Sequence, residues 1–198
     1  MRTSARVAAT LLTTTVVIGG TATVASAQST TLRDKSADVI SFADQTTDER
    51  GTQLGYSDSV ASGVDLRSMR VKHTKKSITV TLRFAELSGE TTPIASLRLD
   101  GASKASRYLL ISGDDRAAVV DTKGRKRCNA SVTARLGAKG YVKFTAKRSC
   151  LKNPRRIKVA GFAADAGYQA GDDTPFKADS VSPKSVRGDA WTKWLKAS

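Results

Sequence analysis

Ser77-Ile78-Thr79-Val80-Thr81-Leu82-Arg83-Phe84 alternates along its whole length: Ile78, Val80, Leu82 and Phe84 fall on one side, Thr79, Thr81 and Arg83 on the other. A β-strand sends successive side chains to opposite faces, so a period of two predicts one buried face and one wet face. The period returns at Ala95, Leu97 and Leu99, then at Cys128, Ala130, Val132, Ala134 and Leu136, and again at Val142, Phe144 and Ala146. Weaker candidates span residues 64–73, 107–112, 117–121 and 156–162. Turn formers separate them: Lys75-Lys76, Ser88-Gly89-Glu90, Gly113-Asp114-Asp115, Lys123-Gly124, Gly137 to Gly140 and Asn153-Pro154.

Strands at this spacing, with no long helix between them, predict an all-β domain. The expected form is an antiparallel two-sheet β-sandwich, jelly-roll or immunoglobulin-like, over residues 37–198, behind a flexible segment at 28–36. Near the C-terminus Trp191, Trp194 and Leu195 share a helical face, and Ser182-Pro183 could open a short helical turn that Gly188 weakens. The two tryptophans read as a lid on the sandwich, with ligand stacking as the alternative. Residues 44–63 and 165–182 read as long loops, which in small domains are usually functional or mobile.

The N-terminus speaks to address. Arg2 and Arg6 precede an uncharged run from Val7 to Ile18, and Ala25-Ser26-Ala27 offers small residues at the positions a signal peptidase reads. Residues 1–27 are therefore expected to be a cleavable secretory signal, cut after Ala27, and the protein to be secreted. The run is short and diluted by threonines, so no transmembrane anchor is expected. In an exported chain the two cysteines, Cys128 and Cys150, predict a disulfide; a metal or redox role would need a Cys-x-x-Cys spacing or added His and Cys partners.

Charge is unevenly spread. The chain carries a formal +15, or +13 without Arg2 and Arg6. Residues 28–100 hold ten basic and ten acidic side chains, residues 161–198 five of each, and residues 101–160 sixteen basic against three acidic. One cluster is Lys123, Arg125, Lys126 and Arg127; the other is Lys147, Arg148, Lys152, Arg155, Arg156 and Lys158, with Lys143 on the same strand face as Lys147. A disulfide holds its Cα atoms within about 7 Å, so Cys128–Cys150 would draw the two clusters to one end of the sheet. Concentrated like charge favours an anionic partner, while lysines and arginines that merely keep the protein soluble are the plainer reading; both stay open. Nucleic acid is disfavoured, because single-strand binding usually adds aromatic platforms and Tyr141 is the one aromatic on the wet face here. An anionic envelope polymer or acidic glycan suits the address better.

Catalytic signatures are missing. His73 is the single histidine, beside Lys72 and Lys75, and no Gly-x-Ser-x-Gly turn exists. Asp44, Asp48 and Glu49 lie in one loop and Asp172-Asp173 in another, as in calcium-holding loops, but the Asp-x-Asp-x-Asp-Gly pattern is missing. A structural calcium is the lesser reading, and no cofactor or metal site is assigned. Asn129-Ala130-Ser131 matches the glycosylation pattern, a short match that arises often by chance.

The stretch Gly63-Val64-Asp65-Leu66-Arg67-Ser68-Met69-Arg70-Val71-Lys72-His73, followed by Ser77 to Phe84, and the later Tyr141 to Phe144 with Cys150-Leu151-Lys152-Asn153-Pro154, resemble uncharacterised secreted β-sandwich proteins of high-GC Gram-positive bacteria. The resemblance covers residues 38–164 and implies fold and compartment, with no catalytic residue. A more distant likeness to sandwich carbohydrate-binding modules is one of fold only. The expected function is thus a secreted, monomeric, non-enzymatic protein that attaches to an anionic extracellular polymer. A neutral-glycan module using Trp191 or Trp194 is the first alternative, and a hydrolase built on His73 the second.

Overall fold

The computed structural model describes residues 28–44, 50–101, 107–112, 116–170, 173–183 and 190–198. The expected signal at 1–27 lies outside them, as do Asp48, Glu49, Asp172, Gly188 and the expected turn at 113–115. Strands β1 Gln28–Arg33, β2 Ile40–Phe42, β3 Thr52–Gln53, β4 Leu66–His73, β5 Ser77–Phe84, β6 Glu86–Leu87, β7 Thr92–Leu99 and β8 Arg107–Ser112 come first. They are followed by β9 Ala117–Asp121, β10 Lys126–Arg135, β11 Gly137–Ala138, β12 Tyr141–Lys147, β13 Arg156–Ala164, β14 Phe176–Ser180 and β15 Leu195–Lys196. Two short helices, α1 Tyr56–Ala61 and α2 Ala166–Ala170, and a 3₁₀ turn at Arg148–Leu151 complete the described chain.

The chain is mostly β and its strand pairs are antiparallel. They form one curled sheet in the order β1-β4-β5-β12-β10-β9-β8-β7-β13-β14-β2-β3, with β15 on β13; β6 and β11 make a small separate ladder. The ten-residue β10 joins both halves: Lys126–Ala130 pairs with β9, with a bulge between Lys126 and Cys128, and Ser131–Arg135 pairs with β12. Alternation tells which face of a strand is buried, but not that its two ends take different neighbours. The sheet curls into a half-barrel around one core, with Val71, Val80, Leu82 and Phe144 from one half meeting Leu97, Leu110, Val119 and Val159 from the other. Each such side chain stabilises the fold by about 1.5–3 kcal/mol relative to exposure. At Gly161 on β13 the two halves pack tightly: a Cβ there would lie 2.8 Å from Leu82 Cδ2 and 3.2 Å from Met69 Sδ, so only glycine fits without displacement.

Two expectations at the termini need correcting. Residues 28–36 do not begin as a flexible segment: β1 runs in register with β4, from Gln28 opposite His73 to Arg33 opposite Ser68. The inward positions Thr30 and Leu32 include a single apolar residue, so no periodic signal marks the strand. Over the described residues 190–198 no helical turn forms and Leu195–Lys196 make β15, while 184–189, where the expected turn would run, lie outside the described residues. Thr192 exchanges bonds with Val159, its amide donating to the carbonyl at 2.9 Å and its Oγ1 accepting from the Val159 amide at 3.0 Å. Those sheet-edge bonds override the helical spacing of Trp191, Trp194 and Leu195. The terminus then reaches β1 and the β4–β5 turn: Gln28 N donates to Ser198 Oγ at 2.9 Å and Lys75 N to the Ser198 carbonyl at 3.0 Å. The two stretches expected as loops also hold order, with β3 and α1 in the first and α2 and β14 in the second. Phe176 of β14 stacks on Phe42 of β2 at 4.7 Å and meets Tyr168 of α2 at 5.5 Å.

Candidate functional site

Strand direction places the cationic turns. β4, β7, β9 and β12 end, and β5, β8, β10 and β13 begin, at the same end of the sheet. Lys75-Lys76, the Lys123–Arg127 turn and the Arg148–Arg156 connection therefore share that end. The disulfide Cys128–Cys150 forms, with its Cα atoms 5.9 Å apart, and ties the start of β10 to the 3₁₀ turn after β12. Lys123, Arg125, Lys126, Arg127, Lys143, Lys147, Lys152 and Arg155 are exposed; Arg148, Arg156 and Lys158 are half-buried.

Not all of that charge is available. Asp121 takes Arg125 at 2.9 Å and Arg127 at 3.4 Å. Desolvation pushes the Asp121 carboxyl up, but hydrogen bonds from the Arg125 side chain and the Arg125 and Lys123 amides outweigh it and hold it below its ordinary value. Asp100 receives both Nε and Nη2 of Arg156 at 2.9 Å, and those bonds hold its carboxyl low. Arg148 serves the backbone: Nε donates to the Pro154 carbonyl at 2.9 Å, Nη2 to Asn153 at 3.0 Å and Nη1 to Lys75 at 3.4 Å. Lys123, Lys126, Lys147 and Lys152 form no ion pair with an Asp or Glu among the described residues, and Arg155 acts on Asp100 through space without a direct contact. A cleft of about 500 Å³ opens here between Arg148, Arg155, Arg156, Lys196 and Asp100.

The sheet extends this charge in a way that sequence blocks do not reveal. On the outer face of β1, β4, β5, β12 and the second half of β10, Arg33, Arg70, Lys72, Arg83, Lys143, Lys147 and Arg135 alternate with Thr31, Thr79, Thr81, Thr145 and Thr133. No carboxylate stands on this face within these strands. Arg70, Thr81 and Lys143 share one row, spanning about 10 Å at two inter-strand spacings. A groove of about 400 Å³ runs between them, Lys72 and Thr79. Arg33, Arg70, Lys72 and Arg83 escape a count by segment because residues 28–100 are neutral in sum; the signal is their parity within each strand.

The tryptophans lie over cations. Arg98 sits 4.3 Å from the Trp191 ring centre, and Arg156 and Lys158 sit 5.6 and 5.2 Å from that of Trp194, which is 37% exposed. His73 is buried. Its Nδ1 donates to the Leu195 carbonyl at 3.0 Å, which leaves Nε2 unprotonated and without a partner, and burial lowers its pKa. A triad histidine uses Nδ1 for a carboxylate and Nε2 for a hydroxyl; here Nδ1 is committed to the backbone.

The opposite end holds a second group. Asp34 follows β1, Asp38 precedes β2, Asp65 precedes β4 and Asp179 lies on β14. Asp38, Asp65 and Asp179 are buried, and Asp34 is half-buried. One carboxylate oxygen each from Asp34, Asp38 and Asp179 lies within 4.8 Å of the others. Asp34 Oδ1 accepts from the amides of Ser182 at 2.6 Å and Lys35 at 2.9 Å; Asp179 accepts from Leu66 at 2.7 Å and Ser180 at 2.7 Å. Arg67 pairs with Asp65 at 3.0 Å. Burial first, then neighbouring carboxylates, raises Asp38 to about 6 and pushes Asp34 and Asp179 up as well. Burial also raises Asp65. The acidic residues expected to favour calcium, Asp44, Asp48, Glu49 and Asp172-Asp173, are different ones. Nothing in the sequence links positions 34, 38, 65 and 179, which meet only through the fold.

In comparisons with known proteins, no family model, curated protein or solved structure gives a significant match to this chain. No described helix is long and apolar enough to cross a membrane.

Proposed function

We propose that this chain is an exported, monomeric, non-enzymatic protein that binds an anionic extracellular polymer at the disulfide end and along the adjoining basic sheet face. One observation carries this reading: at that end Asp100 and Asp121 already pair with arginines, while Lys123, Lys126, Lys147 and Lys152 form no ion pair with a described Asp or Glu. Export rests on the signal pattern of residues 1–27 and on the resemblance to secreted sandwich proteins. Treating the two halves of the curled sheet as sandwich layers belongs to the same reading, supported by Gly161 lying against Met69 and Leu82. A polymer with one negative charge per repeat suits an extended row of cations, and water-exposed ion pairs weaken as salt rises.

The test is retention on immobilised phosphate-rich wall polysaccharide and on heparin at low and high salt. Retention should fall with salt, and the triple variant Lys147→Glu, Lys152→Glu, Arg155→Glu should bind at least tenfold more weakly with its fold intact. Failure of the wild-type protein to bind either polymer at low salt overturns the reading. Salt-insensitive glycan binding that is lost in Trp194→Ala would instead establish the neutral-glycan alternative, for which Trp194 offers the more exposed ring.

A further inference from the structure

We propose that Asp34, Asp38 and Asp179 bind one calcium ion where the two margins of the curled sheet meet, at the end remote from the disulfide. Three elements supply the ligands: the residue after β1, the loop before β2, and β14. In the strand order β1 forms one edge, while β14 leads through β2 to the other. An ion held here would join those margins as the disulfide joins β10 to the chain beyond β12.

The independent pointer is Asp38. It is 1% exposed, and neither carboxylate oxygen is hydrogen-bonded to another residue. A buried polar group without a partner is rare in folded proteins, and for a carboxylate the cost is far greater than for an amide. One of its oxygens lies within 4.8 Å of one oxygen from each of Asp34 and Asp179. Asp34 Oδ2 is likewise buried and unpartnered, while Oδ1 is held by two amides. Both oxygens of Asp179 accept backbone amides, which fixes that carboxylate's orientation as outer-shell donors fix metal ligands.

Size favours calcium. Calcium–oxygen bonds run about 2.3–2.6 Å, so oxygens on opposite sides of one ion lie about 4.8 Å apart. Three oxygens within 4.8 Å of one another can all reach one such ion. Magnesium demands about 2.0–2.1 Å and a near-ideal octahedron, a tighter cage than three carboxylates from separate elements readily supply. Charge calls for a divalent cation. Four ionised aspartates against the Arg67 guanidinium leave three negative charges unbalanced, and a divalent cation reduces this to one. Carboxylate and water ligands with no nitrogen or sulfur donor are those of a hard cation.

The full exported chain, freed of metal with EDTA, should bind one equivalent of calcium chloride by calorimetry. At a hundredfold excess over the dissociation constant its melting temperature should rise by about 5–10 °C. Magnesium chloride at equal concentration should give a smaller shift. Asp38→Asn should lose the calcium response, yet in EDTA at pH 8 melt no lower than wild type, because the amide removes buried repulsion. Should that variant fail to fold, Asp34→Asn takes its place and the wild-type titration still decides. Equal wild-type melting in calcium and EDTA with no calorimetric binding overturns the proposal. So does a calcium response retained in a folded Asp38→Asn, or one that magnesium matches.

Discussion

At the disulfide end Lys123, Lys126, Lys147 and Lys152 stand in water; at the far end Asp38, Asp65 and Asp179 stand out of it, with Asp34 half-covered beside them. Both groups crowd charges of one sign, with very different physical consequences. Unit charges 4 Å apart in water interact by about 1 kcal/mol, and salt at physiological strength screens them beyond about 8 Å. The lysines therefore tolerate one another without a partner, and a polymer can displace their counterions. The aspartates lack that shielding. Out of water a carboxylate must take up a proton, a guanidinium or a metal, and Arg67 satisfies only Asp65. A cationic surface is governed by ionic strength; a buried carboxylate group is governed by pH and by divalent cations.

The largest effect expected from this contrast is the pH dependence of the metal-free protein. Asp34, Asp38, Asp65 and Asp179 all have folded values above the ordinary carboxylate value of 3.8, facing one another, Lys35 and Arg67. The folded chain thus keeps protons that the unfolded chain has already released, so stability declines as pH rises from about 4, through about 6 for Asp38 and further for Asp34 and Asp179. A carboxyl that holds its proton tenfold more tightly in the folded chain than in the unfolded one contributes about 1.4 kcal/mol to this dependence. Melting in EDTA should fall steadily between pH 5 and pH 9, and Asp38→Asn should flatten that slope. A melting temperature that climbs over this range would show that the aspartates are not buried together. Removing the disulfide with Cys128→Ala and Cys150→Ala comes next. Its loop length suggests a loss of about 3 kcal/mol, or about 6–12 °C in a chain of this size. The calcium response should survive, because the bridge touches only the other end; its loss would tie the two ends together.

The alternation at Ser77–Phe84 specified β5 to the residue, and the weaker stretches at 107–112 and 117–121 coincide with β8 and β9. Two cysteines behind an expected secretory signal were enough to predict their pairing. The limit was reached wherever a property belongs to two distant strands. β10 alternates correctly at Cys128, Ala130 and Val132, but its change of neighbour, which links the two halves of the curled sheet, has no local signature. Charge behaved alike. Lys123–Arg127 is a run and stood out; Arg70, Thr81 and Lys143 make a row only after three strands align. The carboxylates were the least legible, since each of Asp34, Asp38, Asp65 and Asp179 looks in sequence like an ordinary turn or strand-end residue.

The smallest stability effects separate charge from architecture within the cationic end. Lys126→Gln, at an exposed position with no ion pair, should change stability by less than about 0.5 kcal/mol. It should weaken polymer binding by a factor of about 1.5–5, the scale of one exposed ion pair. Arg148 lies in the same sequence cluster yet should behave differently. Its guanidinium ties the β4–β5 turn to the connection after β12 through the carbonyls of Lys75, Asn153 and Pro154. Arg148→Ala should cost about 1–3 kcal/mol, because those carbonyls lose a charged donor. Arg148→Lys keeps the charge but not the planar fork that reaches three acceptors. If Arg148→Lys melts like Arg148→Ala while binding polymer like wild type, the residue acts as a latch and its neighbours carry the binding. If instead it melts like wild type and Arg148→Ala loses only affinity, the distinction between latch and binding surface fails, and Arg148 belongs with the lysines.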